Sequence, residues 1–162
     1  MNEALKSLVW ERAENTCEYC RLPQSLDVLP FQIDHVIAEQ HHGPTVAENL
    51  ALSCLNDNLH KGPNIAGLDP DIGLLTRLFH PRQEIWEEHF AWVGPVLAGR
   101  TDIGRTTIDV LVMNAPERVE LRRLLIRAGL FPGVQPPRTC RRPTQRYGPA
   151  FFNNATAWPT TG

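Results

Sequence analysis

Residues 26–62, LDVLPFQIDHVIAEQHHGPTVAENLALSCLNDNLHKG, decide the fold. The β-formers Leu26, Val28, Phe31, Ile33, Val36 and Ile37 crowd its first third, and Pro30 interrupts them. Proline cannot donate to a ladder, so 26–37 is expected to give two short, imperfect strands or an edge strand. His41, His42, Gly43 and Pro44 make a turn over 40–46. Asn49 to Cys54 is short and apolar enough for a second strand. Cys54 to Lys61 then reads as a short helix, stopped by Gly62-Pro63.

Working outward, residues 3–14 predict an amphipathic helix, with Leu5, Leu8, Val9 and Ala13 at helical spacing. Asn15-Thr16 ends it and leads into Cys17-Glu18-Tyr19-Cys20. Downstream, Asn64 to Pro81 reads as loop with a short strand around Leu74–Phe79, and Gln83 to Trp92 as a helix running into a turn. Arg105 to Met113 is β-branched, and its type is open. Ala115 to Ala128 predicts a helix, with Pro116 and Glu117 in its first turn and Gly129 as cap. The stretch after Pro132 is rich in Pro, Thr, Asn and Gly and is expected to be disordered. The expected organisation is a core at 1–67, a mixed extension packed on it at 68–131, and a tail at 132–162.

The 162-residue chain has no apolar run long enough to span a bilayer. Its N-terminus has no long apolar stretch of the secretory kind, so a cytoplasmic location is expected. The net charge of -2 gives no global basic footprint for nucleic acid. Four arginines fall in the tail with no acid beside them, which leaves the first 131 residues at -6. Contact with phosphate must then rest on a local patch or a metal ion. Of the four cysteines, Cys17, Cys20 and Cys54 lie in the core segment and Cys140 in the tail. A C-x-x-C pair without a secretory signal points to metal binding rather than disulfides.

Cleaving a phosphodiester with water needs a base, a cation to neutralise developing charge, and donors that hold the phosphate. Asp34-His35, at the end of the first strand, offers a carboxylate beside an imidazole. Asn58, on the short helix, adds an amide oxygen suited to a hard divalent ion. Asn49 is placed to hydrogen-bond near His35 and fix its ring, and His60 and Lys61 at the helix end could bind phosphate. Plainer roles suit other residues. His41 and His42 fit a solvated loop, His89 a core edge, and Trp86, Phe90 and Trp92 packing. Cys140 has no specific role.

The pattern Cys17-x-x-Cys20, Asp34-His35, Asn49, Cys54-x-x-x-Asn58-x-x-Lys61-Gly62 resembles the HNH endonuclease family over roughly residues 8–67. It looks most like small stand-alone members that continue Lys61-Gly-Pro-Asn-Ile-Ala-Gly67 and share Phe90-x-Trp92 and Asn114-x-Pro116-Glu117-Arg118. The resemblance implies an α+β fold with a ββα-metal (His-Me finger) core, an N-terminal helix and a C-terminal α+β extension. It implies His35 as general base, Asn49 orienting it, and Mg²⁺ or Mn²⁺ on Asp34 and Asn58, with DNA as substrate and RNA also admitted. Asn58 stands where other members have His, making this an H-N-N form. The family's structural Zn²⁺ takes two C-x-x-C pairs, but here the second pair ends in Asp57. Either Cys17, Cys20, Cys54 and Asp57 bind zinc, or the knuckle is metal-free with three packed thiols. The rival functional reading is a zinc-stabilised module that binds nucleic acid or protein around a decayed nuclease site. No membrane association and no particular protein partner are implied.

Overall fold

The computed structural model describes residues 1–131. The expected disordered tail, with Cys140 and the four tail arginines, lies outside the described residues. The fold is mixed α+β, with five α-helices and three two-stranded antiparallel sheets among the described residues.

Helix α1 (Glu3–Arg12) starts where the Asn2 carboxamide accepts from the Leu5 amide at 2.8 Å. Val9 and Ala13 are fully buried. The chain then reverses through Glu14 and Asn15, both at positive φ, into the knuckle that carries Cys17 and Cys20. That knuckle is docked on the next strands: the Glu18 amide donates to Leu52 O at 2.8 Å, and the Glu18 carboxylate accepts from the Leu52 amide at 2.9 Å and from Arg82.

Strands β1 (Gln32–His35) and β2 (Leu50–Ser53) pair antiparallel, with Gln32 opposite Ser53 and His35 opposite Leu50. The apolar stretch before β1 is not a strand. The Gln24 side chain binds Leu29 O and the Phe31 amide instead, and Val28 is exposed. Every residue of β2 is buried, because α1 packs on it and the knuckle covers it. Helix α2 (Leu55–Lys61) follows β2 directly, packs on β1, and ends at Gly62 with φ of 47°.

The second half is built from two hairpins and three helices. Strands β3 (Ala66–Leu68) and β4 (Leu75–Arg77) form one hairpin. After the short α3 (Trp86–His89), β5 (Phe90–Val93) and β6 (Val96–Gly99) form another. The helix expected over Gln83–Trp92 is therefore one turn long, because Phe90–Val93 finds a strand partner in β6. The open segment Arg105–Met113 falls mostly in helix α4 (Asp102–Val110), capped by Thr101. Its β-branched Thr106 and Thr107 are fully buried. The Thr107 hydroxyl donates to Ile103 O and accepts from the Phe79 amide, so bonding in the folded chain overrides its strand preference. Helix α5 (Pro116–Arg127) lies where the sequence places it.

One buried cluster runs from Val9 through Tyr19, Leu52, Phe79, Trp86 and Phe90 to Met113. The Trp86 indole N–H donates to Tyr19 O at 2.7 Å and ties α3 to the knuckle.

Candidate functional site

Asp34, His35 and Asn58 line one open cavity of about 350 Å³, together with Ile33, Gly62 and Pro63. The β1–β2 hairpin supplies the first two, and α2 supplies the third.

Alternation along β1 turns Asp34 inward and leaves His35 half-buried. Asp34 Oδ2 accepts from the Tyr19 hydroxyl at 2.8 Å. The Lys61 ammonium sits 3.0 Å from Oδ2 and 3.2 Å from Oδ1. Burial pushes the Asp34 carboxyl up, while Lys61 and the Tyr19 hydrogen bond hold it down. Burial, with the Asp34 charge, also keeps the Tyr19 phenol protonated, so it remains a donor.

Lys61 departs from the sequence expectation of a phosphate-contacting residue. It is 1% exposed, and besides Asp34 its ammonium donates to His35 O at 2.9 Å. Asp57 and Lys61 share the inward face of α2, and a buried ammonium needs an anion. His60, by contrast, is exposed, with Nδ1 2.8 Å from Asn56 O.

His35 Nε2 lies 2.9 Å from Thr45 Oγ1, and that hydroxyl donates to Glu39 Oε1 at 3.3 Å. A hydroxyl has one proton, so with that proton on Glu39, Nε2–H donates to Thr45 and Nδ1 keeps its lone pair. Asn49 does not touch the ring. Its side chain accepts from the Ile37 amide and donates to Ile37 O and Pro44 O, all within 3.0 Å. It thus fixes the loop that brings Thr45 to His35. Gly43 completes the loop's tight return: a Cβ there would meet Ile37 O at 1.7 Å. Asn58 Nδ2 donates to Gln32 Oε1 at 2.7 Å, which leaves its Oδ1 without a donor among the described residues.

The second cluster is closed. Cys17, Cys20, Cys54 and Asp57 are all buried, and one ligand atom from each lies within 4.8 Å of the others. The Cys20 and Cys54 sulfurs are 3.8 Å apart, and Cys17 Sγ is 3.2 Å from Asp57 Oδ2. Two sulfurs held about 2.3 Å from a tetrahedral zinc would sit about 3.8 Å apart, and a sulfur–oxygen pair about 3.5 Å apart. The donor set therefore fits zinc in size and chemistry. Burial pushes the Asp57 carboxyl up to about 7, Cys20 pushes the same way, and Arg118 opposes both. Arg118 reaches in from α5, donating to Asp57 Oδ1 and lying 3.8 Å from Cys54 Sγ.

Sequence reasoning missed Tyr19, Gln32, Thr45 and the role of Arg118. Tyr19 sits inside the Cys17–Cys20 knuckle and Gln32 two residues before Asp34 on the same strand, so proximity was a usable signal. Arg118 lies 61 residues from Asp57, and only the Asn114-x-Pro116-Glu117-Arg118 segment marked it.

Residues 17–64 match the HNH endonuclease family model. The segment that carries the knuckle, the β1–β2 hairpin and α2 is thus of HNH type, which points to a nuclease or nucleic-acid-related function. Among curated relatives, the chain is similar to the Septu protein PtuB of Bacillus thuringiensis, 25% identical over 124 residues. Those residues are 75% of this chain and 46% of that relative, so the chain spans less than half of the relative's length. The alignment is longer than the 17–64 segment, so the likeness extends beyond the HNH match. No solved structure matches. Among the described residues, no helix is long and apolar enough to cross a membrane.

Proposed function

We propose that this protein is an HNH endonuclease that hydrolyses DNA phosphodiester bonds on a ββα-metal core formed by β1, β2 and α2. The observation that carries the reading is the convergence of Asp34, His35 and Asn58 on one open cavity. Their donors are hard oxygens beside an imidazole, a set suited to Mg²⁺ or Mn²⁺ rather than a thiophilic metal. Three of the roughly four lone-pair positions of the Asp34 carboxylate are taken by Tyr19 and Lys61, which leaves one for an ion. When bound, that ion supplies positive charge to the phosphoryl and leaving oxygens.

The chain's own residues do the rest. His35 takes the proton of the attacking water at Nδ1, while Nε2–H stays on Thr45 and Glu39 faces the resulting imidazolium. Asn49 holds the loop so that this contact persists. Gln32 turns the Asn58 amide so that its oxygen faces outward. His60 remains an exposed candidate for phosphate contact, whereas Lys61 serves Asp34. In the knuckle, Zn²⁺ on Cys17, Cys20, Cys54 and Asp57 would brace the hairpin against α2.

His35→Ala should reduce nicking of supercoiled plasmid in Mg²⁺ by at least about 100-fold, the range of a lost general base, without lowering thermal stability. EDTA should stop the wild-type enzyme. Nicking at the wild-type rate by the purified variant would remove His35 from this role. No nicking by the wild type in either ion, with plasmid still bound, would favour the non-catalytic binding module.

A further inference from the structure

The Asn114-x-Pro116-Glu117-Arg118 segment has no part in the reaction above, yet it is tightly built. Asn114 accepts from the Leu97 amide at 3.0 Å and donates to Leu97 O at 2.8 Å, which fastens the start of α5 to β6. Pro116 opens the helix. Two residues on, Arg118 enters the knuckle. Its guanidinium is nine-tenths buried and engages Asp57 through the oxygen that does not face Cys17. Its other terminal nitrogen lies 3.8 Å from Cys54 Sγ.

The chemistry of the altered ligand gives this contact a purpose. A carboxylate is a harder and weaker zinc ligand than a thiolate, and it has two oxygens and a free rotor. An arginine on Oδ1 fixes that rotor and presents Oδ2 alone to the sulfurs. Three thiolates and one carboxylate around a divalent ion also leave a buried net charge of about -2. The guanidinium halves it, and its delocalised charge is less costly to bury than an ammonium. Arg122, one turn further, is buried beside Cys20 and held by Met113 O and Asn114.

We propose that Arg118 is the positioning residue that makes Asp57 an adequate fourth ligand, so that zinc retention in the knuckle depends on α5. The inference rests on the zinc reading above and is independent of the nuclease reading. It predicts epistasis between two residues 61 positions apart. Restoring a thiolate at position 57 should make Arg118 dispensable for the metal.

The experiment uses the full chain purified under reducing conditions. Zinc content is read by atomic spectrometry, and zinc loss to excess chelator is followed with a chromogenic indicator. The wild type should carry about one zinc per chain. R118M should lose it about 10- to 100-fold faster, the usual cost of removing a partner of a metal ligand. R118K should fall between, since a point charge cannot address both Oδ1 and the sulfur. D57C should hold zinc at least as well as the wild type, and R118M added to D57C should change the rate by less than about threefold. If R118M alone fails to fold, folded and zinc-loaded D57C/R118M supports the proposal, and a double variant that also fails overturns it. An equal loss from R118M in both backgrounds would mean that Arg118 acts through charge or packing and not by positioning Asp57, and would overturn it. A wild type free of zinc would reduce Arg118–Asp57 to a buried ion pair and remove the premise, whatever the plasmid assay shows.

Discussion

The two clusters of the core share one short helix and are built on opposite principles. The knuckle is closed: Cys17, Cys20, Cys54 and Asp57 are buried, and Arg118 seals the outer oxygen. The cavity is open: His35 and Asn58 face it half-buried, and their partners Thr45, Glu39 and Gln32 reach to the surface. Structural metal sites are closed, and sites that must admit a reactant keep a position free. The same α2 serves both, with Cys54 and Asp57 at its start and Asn58 and Lys61 after them. Burial suits the knuckle to bracing, and exposure suits the cavity to admitting a reactant.

Lys61 is the point at which that contrast is most easily broken. It belongs to the open cavity by sequence, but it is as buried as the knuckle. Lys61→Met would leave Asp34 as a buried carboxylate with Tyr19 as its one side-chain hydrogen-bond donor among the described residues. Losing one partner of a buried pair costs about 3–5 kcal/mol, to be read as a drop in unfolding free energy in urea. The double variant K61M/D34N should recover most of that stability while remaining inactive as a nuclease. A Lys61→Met protein as stable as the wild type would show that the ammonium faces solvent after all.

How much of this was legible in the sequence varies by element. The β1–β2–α2 order follows from Pro30, the turn residues and Gly62, whereas spacing alone marks only the Cys17–Cys20 pair, and Cys54 and Asp57 join it through the HNH resemblance. The direction of Lys61 was not legible, because charge at a helix C-terminus fits both solvent and a buried anion. Val28 and Leu29 look like strand formers, but only the structure shows Gln24 capturing the backbone around them. The helical state of Thr107 is supported by a hydrogen bond from Phe79, 28 residues away. Arg118 is the extreme case. Its partner is Asp57, and nothing local to either residue shows the pairing.

Asn49 sharpens the comparison from the other side. It is buried like a knuckle residue, but it serves the cavity by pinning Ile37 and Pro44. Asn49→Ala should cost about 1–3 kcal/mol through the backbone groups it leaves unsatisfied. It should also lower nicking by up to about 100-fold as Thr45 loosens from His35. Zinc content should not change. A variant that loses zinc as readily as it loses nicking would show that the two clusters are one cooperative unit.

The smallest effect concerns His80. Its Nδ1 accepts from the Arg82 amide at 3.2 Å, which requires a neutral ring. Burial lowers its pKa below the ordinary value, Glu84 opposes the shift, and Lys61 adds to it. The folded state therefore binds this proton more weakly than the unfolded chain does. The stability from a neutral His80 is present above about pH 6.5 and is lost as pH falls through the depressed folded value. His80→Asn keeps an acceptor for Arg82 without the titration. Urea midpoints measured at about pH 7.5 and about pH 5.5, either side of the ordinary histidine value, should show the wild type losing more on acidification than the variant. The carboxylates of the two clusters also titrate, Asp57 among them, pushed up to about 7 by burial, and the variant subtracts them because they are common to both proteins. A gap between the two proteins that stays constant with pH would place the acid sensitivity of the fold in groups other than His80.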